Sequence, residues 1–426
     1  MRKVDLVDSV ASVAFAPTAI AAAYLGILAA AARGLRRSPS DASVRFVIVV
    51  PSHNEELSIA ATVRDLTEID YPPDSFRVLV VADNSTDATA LEAERAGAEV
   101  LVRNDGSRRG KGYALEHAFN YLLSDSTRPV DAIVVVDADT TVSKNLLRAF
   151  AGRLAAGESV LQASYQVANS EATWRTSLMS VAFACMHDVR SVGRERLGLS
   201  TGLRGNGMCF SVQAAKLVPH RAASLVEDVE HGLDLAAANI RVAFVHDAWV
   251  KAEMPEQAEQ AASQRQRWEM GRSKLRRERI VGLTRTAIIK RDLMSADLAA
   301  DLAIPPLATL ALAVGASSAA ASAISVVSGR FSRTAVVSLV GIVGLTGHVA
   351  TGWRVSGTGI AGARALLQVP KYILWKMGLA IGAGTATQRR GHDEKLLGNA
   401  TSSAEEWIRT TRNAEVSTPM KDRIDV

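Results

Sequence analysis

Cysteine is nearly absent from this chain, whose 426 residues include only Cys185 and Cys209. Two cysteines cannot form the disulfide framework that holds small secreted proteins together. Neither belongs to a metal-binding motif, so we expect two buried free thiols in a protein of a reducing compartment. The length of the chain allows two or three domains rather than one.

Charge is missing from several long apolar segments. Val10–Ala32 has no charged residue and its apolar run is too long for a typical signal peptide, so we expect an uncleaved membrane anchor. Leu302–Ser328 is also uncharged, and Thr334–Trp353 contains only a histidine. Ile360–Gly384 is apolar but interrupted by Arg364, Lys371 and Lys376, which favours a helix lying at the membrane interface.

Lysine and arginine flank these segments unevenly. More basic residues follow Val10–Ala32 and Thr334–Trp353 than precede them, and this bias places residues 41–295 in the cytoplasm. We therefore predict a multi-pass protein of the cell membrane. Its divisions are a transmembrane anchor (1–40), a cytoplasmic domain (41–295), a membrane region of two spans and an interfacial helix (296–385) and a polar cytoplasmic tail (386–426).

The net charge of +5 and the pI of about 9.3 exclude few partners. Such a balance suits nucleic acid, anionic lipid or a phosphorylated substrate. One phosphate-binding motif is excluded: GSRRGKG (106–112) has three residues between its first two glycines instead of four, and a glycine where a Walker A loop has serine or threonine. A basic loop near a diphosphate, with Lys111 as the contact, stays open.

From residue 45 to about 150, strand and helix patterns alternate. Continuous apolar runs predict four strands, at 45–51, 76–83, 98–102 and 132–139. Helical patterns lie between them. This order predicts an α/β fold with a doubly wound, mostly parallel sheet, which binds ligands at the carboxyl ends of its strands. Acidic residues stand at those ends, namely Asp83, Asp137 and Asp139.

The pair Asp137 and Asp139 is the strongest local signal. Two carboxylates, one residue apart at a strand end, can hold Mg²⁺ or Mn²⁺ together with phosphate oxygens. One alternative is a solvated acidic turn. Another is an aspartyl-phosphatase with Asp137 as nucleophile, because VVVDADTT fits the pattern hhhhDxDxT. That motif usually ends the first strand of its domain, whereas three βα units precede it here.

Three further motifs carry polar chemistry, each with a structural alternative. In DNST, Asp83 could contact a base or ribose, or could simply cap a helix. In VEDVEHGLDL (226–235), Asp228 could deprotonate an acceptor hydroxyl, or could interact with a helix dipole. In QRQRW, the side chains Gln264, Arg267 and Trp268 share one helix face. They could clamp a diphosphate and stack a sugar, or bind lipid headgroups.

Taken in order, VPSHNEE, DNST, GKG, DAD, ED and QRQRW resemble the motifs of the membrane-bound family 2 inverting glycosyltransferases. This group includes cellulose, chitin, hyaluronan and poly-N-acetylglucosamine synthases and ceramide glucosyltransferases. The resemblance covers roughly residues 44–290 and the flanking membrane segments. It implies a GT-A fold, a nucleotide-sugar donor (usually a UDP-sugar), Mg²⁺ or Mn²⁺ as cofactor, and transfer of a sugar with inversion.

The resemblance also implies a role for each matching residue. Asp228 is the expected catalytic base, and Trp268 and Glu227 the expected acceptor-binding residues. The expected metal ligands are Asp139 and Asp137. The expected donor-binding residues are Asp83, Glu55, Lys111, Asp137, Gln264 and Arg267.

The sequence departs from the family at two positions and lacks one accessory signature. Val226 stands where the family has threonine. RGNGMCF (204–210) replaces the acceptor turn of cellulose synthases, and no PilZ signature follows the catalytic part, so cellulose is disfavoured as the product.

Two enzymatic hypotheses remain. Three spans can hardly enclose a polymer channel, which favours transfer of one or a few sugars to a lipid-linked acceptor at the cytoplasmic face. The alternative is a processive polysaccharide synthase that works with an export or polymerase subunit, or with an oligomeric pore. A non-catalytic sugar-nucleotide sensor is the non-enzymatic hypothesis. The expected partners are the donor, the acceptor and membrane lipids, without nucleic acid.

Overall fold

A single sheet of eight strands organises the chain. The computed structural model describes residues 3–34, 42–221 and 226–371, with the side chains of 258–268 outside that description. The strands are β1 (Phe46–Ser52), β2 (Phe76–Asp83), β3 (Glu99–Arg103), β4 (Ala132–Val135), β5 (Thr140–Val142), β6 (Val160–Val167), β7 (Met208–Ser211) and β8 (Val242–Ala252).

The sheet has the order β3-β2-β1-β4-β7-β6-β8-β5. β1, β2, β3 and β4 pair in parallel, as predicted, and so do β6 and β8. β7 runs antiparallel between β4 and β6, and β5 runs antiparallel to β8 at the edge. The predicted mixed α/β fold with a mostly parallel sheet is therefore confirmed.

Helices cover both faces of the sheet, which explains the continuous apolar strands. Every residue of β1 is buried, and its side chains alternate between two separate hydrophobic cores, one on each face. The helices of this part are α2 (Ile59–Thr67), α3 (Thr89–Arg95), α4 (Lys111–Ser124), α5 (Leu146–Ala155), α6 (Trp174–Phe183), α7 (Arg190–Arg196), α8 (Val212–Leu217) and α9 (Glu227–Ala237). A π-helical segment, Ala184–Val189, joins α6 to α7.

In the described part of the chain, one helix precedes the sheet, α1 (Lys3–Ala31). Five described helices follow it: α10 (Ala258–Lys290), α11 (Leu293–Ala303), α12 (Leu307–Ser328), α13 (Arg333–Ser356) and α14 (Gly359–Leu367). By length and composition, α1, α12 and α13 could each cross a membrane. They correspond to the three predicted spans. The predicted interfacial helix is described only as far as residue 371, and the tail lies outside the described residues.

Small residues allow the apolar helices to pack at backbone distance. An added Cβ at Gly344 of α13 would overlap the carbonyl oxygen of Ala22 in α1, and one at Gly352 would overlap the Cys185 Sγ atom. Gly193 of α7 meets the backbone of Leu28 in α1 in the same way. Close approach of this kind stabilises helix pairs where lipid supplies no hydrophobic driving force. It also joins α1 and α13 directly to the helices that support the sheet.

Gly344→Ala tests this packing. We expect the added methyl group to force α1 and α13 apart and to lower the free energy of unfolding by about 1–3 kcal/mol. The measurement is thermal unfolding of the purified full-length protein in detergent. Gly347→Ala is the control, because the same methyl group on the same helix would meet nothing within 4 Å. Equal stability of the two variants would contradict the packing argument.

Candidate active site

The predicted acidic pair lies on a turn at the carboxyl edge of the sheet. β4 ends at Val135, so Asp137 and Asp139 follow the strand and do not belong to it. Asn206, which is fully buried, holds this turn in place. Its Oδ1 accepts from the backbone N–H of Asp137 at 3.2 Å, and its Nδ2 donates to Thr140 Oγ1 at 2.8 Å. The orientation of the acidic turn is therefore set by a buried amide.

Lys111 is the first residue of α4, and its side chain reaches this turn. Its Nζ lies 2.5 Å from Asp137 Oδ1 and donates to the carbonyl oxygen of Gly205 at 2.6 Å. Burial alone would lower the pKa of this ammonium group. The nearby charges of Asp137, Glu227 and Asp228 outweigh burial and raise its pKa. Lys111 therefore stays protonated and links the acidic turn to the segment around Gly205.

Gly205 brings the catalytic candidate Asp228 into the same cluster. Its φ of +81° is a conformation that glycine adopts without strain. A methyl group on Gly205 would lie 3.2 Å from Asp228 Oδ2 and 3.7 Å from Lys111 Nζ. The segment RGNGMCF, a weak signal in the sequence, thus connects the acidic turn to α9.

Glu227 and Asp228 occupy the first turn of α9 and have perturbed acidities. Burial raises the pKa of Glu227 to about 7, with a further increase from Asp228 and an opposing effect of Lys111. Burial also raises the pKa of Asp228, and this effect outweighs the backbone N–H of Val229 and the charge of Lys111, which lower it. Two adjacent, partly buried carboxyl groups titrate as a pair, and a raised pKa makes a carboxylate a better proton acceptor near neutral pH.

Tyr165 is a site residue that the sequence did not reveal. It lies on β6, a strand that carries no recognisable motif. Burial raises the pKa of its phenol, and the charges of Asp137, Asp139 and Asp228 raise it further, so the side chain lies among them. Its ring packs edge to face against Phe183, with centroids 5.3 Å apart. No signal in the sequence could have identified it, because its position depends on the pairing of β6 with β8, where Tyr165 stands opposite Val250.

Asp83, at the end of β2, has a partner that the sequence analysis missed. Arg103 stands directly opposite on β3, and its Nη1 donates to Asp83 Oδ1 at 2.5 Å. Asn84 Nδ2 donates to the same oxygen at 3.0 Å. Asp83 Oδ2 is buried without a hydrogen-bond partner in the described chain, so this carboxylate keeps one unused acceptor oxygen. Helix capping does not explain this side chain, because α3 begins only at Thr89.

Glu55 lies on the loop after β1, beside the loop that follows β2. Its backbone N–H donates to Thr89 Oγ1 at 2.7 Å, and its Oε2 accepts from Ser58 Oγ at 3.0 Å. On the same loop, His53 Nδ1 lies 2.8 Å from the carbonyl oxygen of Asp83. The two loops are thus fastened together at the edge where Asp83 ends its strand. The predicted role of Glu55 in donor binding stays a prediction.

The QRQRW motif falls within α10, as its helical spacing predicted. The side chains of Gln264, Arg267 and Trp268 lie outside the described residues. Their predicted contacts with diphosphate and acceptor stay predictions.

The side chains of the site determine whether it could hold a divalent cation. Within the described ranges, no group of three or more His, Cys, Asp or Glu side chains forms a closed metal site. Asp137 and Asp139 offer two carboxylates on one turn. Mg²⁺ typically takes one or two protein carboxylates and completes its shell with water and substrate phosphate. The residues present therefore fit a cation that is bound jointly with a phosphorylated ligand.

Arg103→Gln tests the buried pairing of Asp83. We expect the free energy of unfolding to fall by about 3–5 kcal/mol, because the buried carboxylate loses its counter-charge. Chemical denaturation of the full-length protein measures it. Arg95→Gln, at an exposed residue paired with Glu92, is the control and should leave stability unchanged. If Asp83→Asn combined with Arg103→Gln recovers none of the loss, the pairing argument is wrong.

Comparisons with known proteins agree with this geometry. A family model described as glycosyltransferase like family 2 matches residues 44–271. A β-monoglucosyldiacylglycerol synthase of Synechocystis is 29% identical over 231 residues, which are 53% of this chain and 47% of that protein. A probable glycosyltransferase of Bacillus subtilis, YdaM, is 25% identical over 256 residues, 55% of this chain and 59% of that one. The chain thus spans about half the length of these curated relatives.

A solved structure shares the fold. The mannosyltransferase PcManGT from Pyrobaculum calidifontis, in complex with GDP-Man and Mn²⁺, superimposes with a TM-score of 0.51 at 16% identity. The match covers 80% of this chain and 98% of that one. At this identity the likeness concerns the fold alone, and it supports the GT-A architecture of the sheet and its flanking helices.

Proposed function

The chain belongs to glycosyltransferase family 2, and we propose that it transfers a sugar from a nucleotide-sugar donor to a lipid acceptor at the membrane surface, with inversion at the anomeric carbon. One observation carries this proposal: Asp228 converges with Lys111 and Asp137 around Gly205, at the carboxyl edge of the sheet. The proposed base Asp228, the ammonium group of Lys111 and the acidic turn could thus contact one substrate together.

Asp228 is the proposed general base. An acceptor hydroxyl gives its proton to the Asp228 carboxylate as its oxygen attacks the anomeric carbon. The new carbon–oxygen bond forms while the bond to the diphosphate breaks, and the nucleoside diphosphate leaves with the electron pair. One base suffices for a single displacement, and no protein nucleophile is required. Burial of Asp228 favours this role, because it raises the pKa of the carboxyl group toward working pH.

Charge growing on the leaving diphosphate needs positive partners. Asp137 and Asp139 would hold a divalent cation, Mg²⁺ or Mn²⁺, which supplies Lewis-acid stabilisation of the leaving group when bound. Lys111 adds a partly buried positive charge at the same turn. Asp83 is positioned for the nucleoside through its unused acceptor oxygen. The remaining roles follow the family pattern. Gln264 and Arg267 would contact the diphosphate, and Glu55 the donor. Trp268 and Glu227 would contact the acceptor.

The lipid acceptor is supported by the helices and by one relative. α1, α12 and α13 could cross a membrane, and α7 of the catalytic part packs on α1. The synthase of Synechocystis is named for a glycolipid product. The positive-inside bias favours a cytoplasmic catalytic domain in the cell membrane. Elongation of a polysaccharide with a partner subunit is the alternative, and measurement of product length with purified enzyme separates the two.

Asp228→Asn is the direct test. We expect the rate of transfer to fall by about 10²–10⁴-fold, because the amide cannot accept the acceptor proton. Membranes containing the enzyme are supplied with a panel of UDP- and GDP-sugars, and the lipid product is identified by mass spectrometry. Asp234→Asn, farther along the same helix and paired with Arg279, is the control and should keep full activity. Wild-type-like turnover in Asp228→Asn would refute the assignment.

The pH dependence of transfer gives a second prediction. The base acts as a carboxylate and its pKa is raised, so the rate should fall as pH drops through a value above the ordinary aspartate range. Lys111→Met removes a charge that lowers the pKa of both Asp228 and Glu227. The acid limb of kcat should therefore move to higher pH in this variant. A limb that stays in place, or moves to lower pH, would contradict the proposed electrostatics.

A further inference from the structure

Four arginines lie together between the active site and the membrane helices. Three of them are almost fully buried, with exposed fractions of 1% for Arg194, 5% for Arg190 and 9% for Arg204. The fourth, Arg272, belongs to α10 and is partly buried. We refer to these four side chains as the arginine cluster. Guanidinium groups keep their charge in proteins, so burial of this many requires negative partners.

Two carboxylates neutralise part of this charge. Arg194 Nε donates to Asp297 Oδ2 at 2.8 Å, and its Nη2 lies 2.8 Å from Asp301 Oδ1. Arg190 Nη1 and Arg272 Nη2 share the same Asp301 carboxylate, at 3.3 Å and 3.2 Å. Among the described side chains, the ion pairs of the cluster therefore join three of its four guanidinium groups to the two carboxylates of Asp297 and Asp301.

Arg204 carries the remaining guanidinium group. Its Nη2 donates to the carbonyl oxygen of Thr201 at 2.9 Å, and no ion pair to it occurs among the described side chains. Within the same part of the chain, the buried Nε atoms of Arg204 and Arg190 have no hydrogen-bond partner. Burial lowers the pKa of Arg204 to about 10. The charge of Asp301 opposes this shift, and the charges of the other three arginines add to it. An anion bound beside Arg204 would accept from its unpartnered Nε atom and relieve the repulsion among the four guanidinium groups.

The cluster joins the membrane side to the reacting groups. Tyr24, in the last turns of α1, donates its hydroxyl proton to Asp297 Oδ1 and accepts from Arg194 Nη2, both at 2.6 Å. On the other side, Arg204 directly precedes Gly205, whose added methyl group would touch Asp228. The positive charge of Arg204 also reaches Asp228 and lowers its pKa. The arginine cluster thus spans the distance from the end of a candidate membrane helix to the proposed base.

We propose that the arginine cluster binds the phosphate group of an anionic acceptor lipid and so places a hydroxyl of that lipid beside Asp228. This inference rests on the proposed function, and it narrows the acceptor to lipids whose phosphate lies a few bonds from the accepting hydroxyl. Arginine binds phosphate oxygens through paired N–H donors. Basic pockets at the cytoplasmic ends of membrane helices are suited to such headgroups.

The donor diphosphate is the other source of the same chemistry. Asp137, Asp139 and Lys111 already provide a place for it on the turn after β4. The arginine cluster instead contacts α1, a candidate membrane helix, through the hydrogen bond from Arg194 to Tyr24. Arg204 adjoins the donor turn through Gly205, whereas Arg194 contacts a candidate membrane helix, and this contact favours the lipid as the source of the phosphate.

Lipid binding by the full-length protein in detergent tests the proposal without turnover. The probes are dioctanoyl phosphatidylglycerol, which carries a phosphate, and dioctanoylglycerol, which does not. We expect the wild type to bind the first at least about tenfold more tightly. Arg204→Gln and Arg190→Gln should lose this preference, and Arg204→Lys should keep part of it. Arg196→Gln removes an exposed arginine from the end of α7 and should keep the preference in full.

Kinetics distinguish the two sources of phosphate. With phosphatidylglycerol as acceptor, Arg204→Gln should raise the acceptor KM about tenfold and leave the KM of the nucleotide sugar unchanged. If the variant instead weakens binding of UDP and keeps the lipid preference, the cluster serves the donor and the proposal is overturned.

Three further outcomes have defined meanings. Equal affinity of the wild type for both lipids overturns the proposal, even if Arg204→Gln fails to fold. A preference that survives in both folded Gln variants overturns it too. If no nucleotide sugar supports transfer but the Arg204-dependent preference is present, the lipid-phosphate site is supported and the proposed function fails.

Discussion

The positive charge of Lys111 is the interaction on which the active site depends. Asp137 follows β4, whereas Glu227 and Asp228 begin α9, and three carboxylates cannot approach one another in a partly buried cleft without a compensating charge. The Lys111 ammonium contacts Asp137 and the carbonyl oxygen of Gly205, and it acts on the other two carboxylates through space. Lys111 begins α4, directly after Gly110. The segment GSRRGKG therefore contributes to the site, although it does not match the Walker A motif.

A second constraint links this site to the membrane helices. Gly193 packs on the backbone of Leu28, and Gly352 packs on Cys185, so α1 and α13 hold α7, which carries Arg190 and Arg194, and the π-helical segment before it. The same helices support β6, where Ser164 donates to Asp188 at 2.5 Å. Anchor and catalytic part therefore share one set of contacts. In the proposed function, this arrangement would let the enzyme present Asp228 to an acceptor that remains in the bilayer.

Much of the fold was predictable because it is encoded locally. Strands buried on both faces read as unbroken apolar runs, and β1 to β4 appeared at nearly their observed bounds. The exception is instructive: the apolar run before Asp137 suggested a strand through residue 139, whereas β4 ends at Val135. Pairing with β7 stops there because Gly207, with φ of +68°, turns the partner chain away. A local pattern cannot show where a neighbouring strand ends.

The sequence by itself determined the α/β class, the three apolar helices and the acidic residues at strand ends, because each follows from short-range periodicity, charge and composition. The tertiary structure alone decided the rest. Arg103 faces Asp83 through strand register, Tyr165 joins the acidic groups through the pairing of β6, and Arg204 gathers with arginines from α7 and α10. These residues are distant in sequence and carry no motif. They meet only because the sheet and the packed helices bring their segments to one edge, where burial makes each unmatched charge costly.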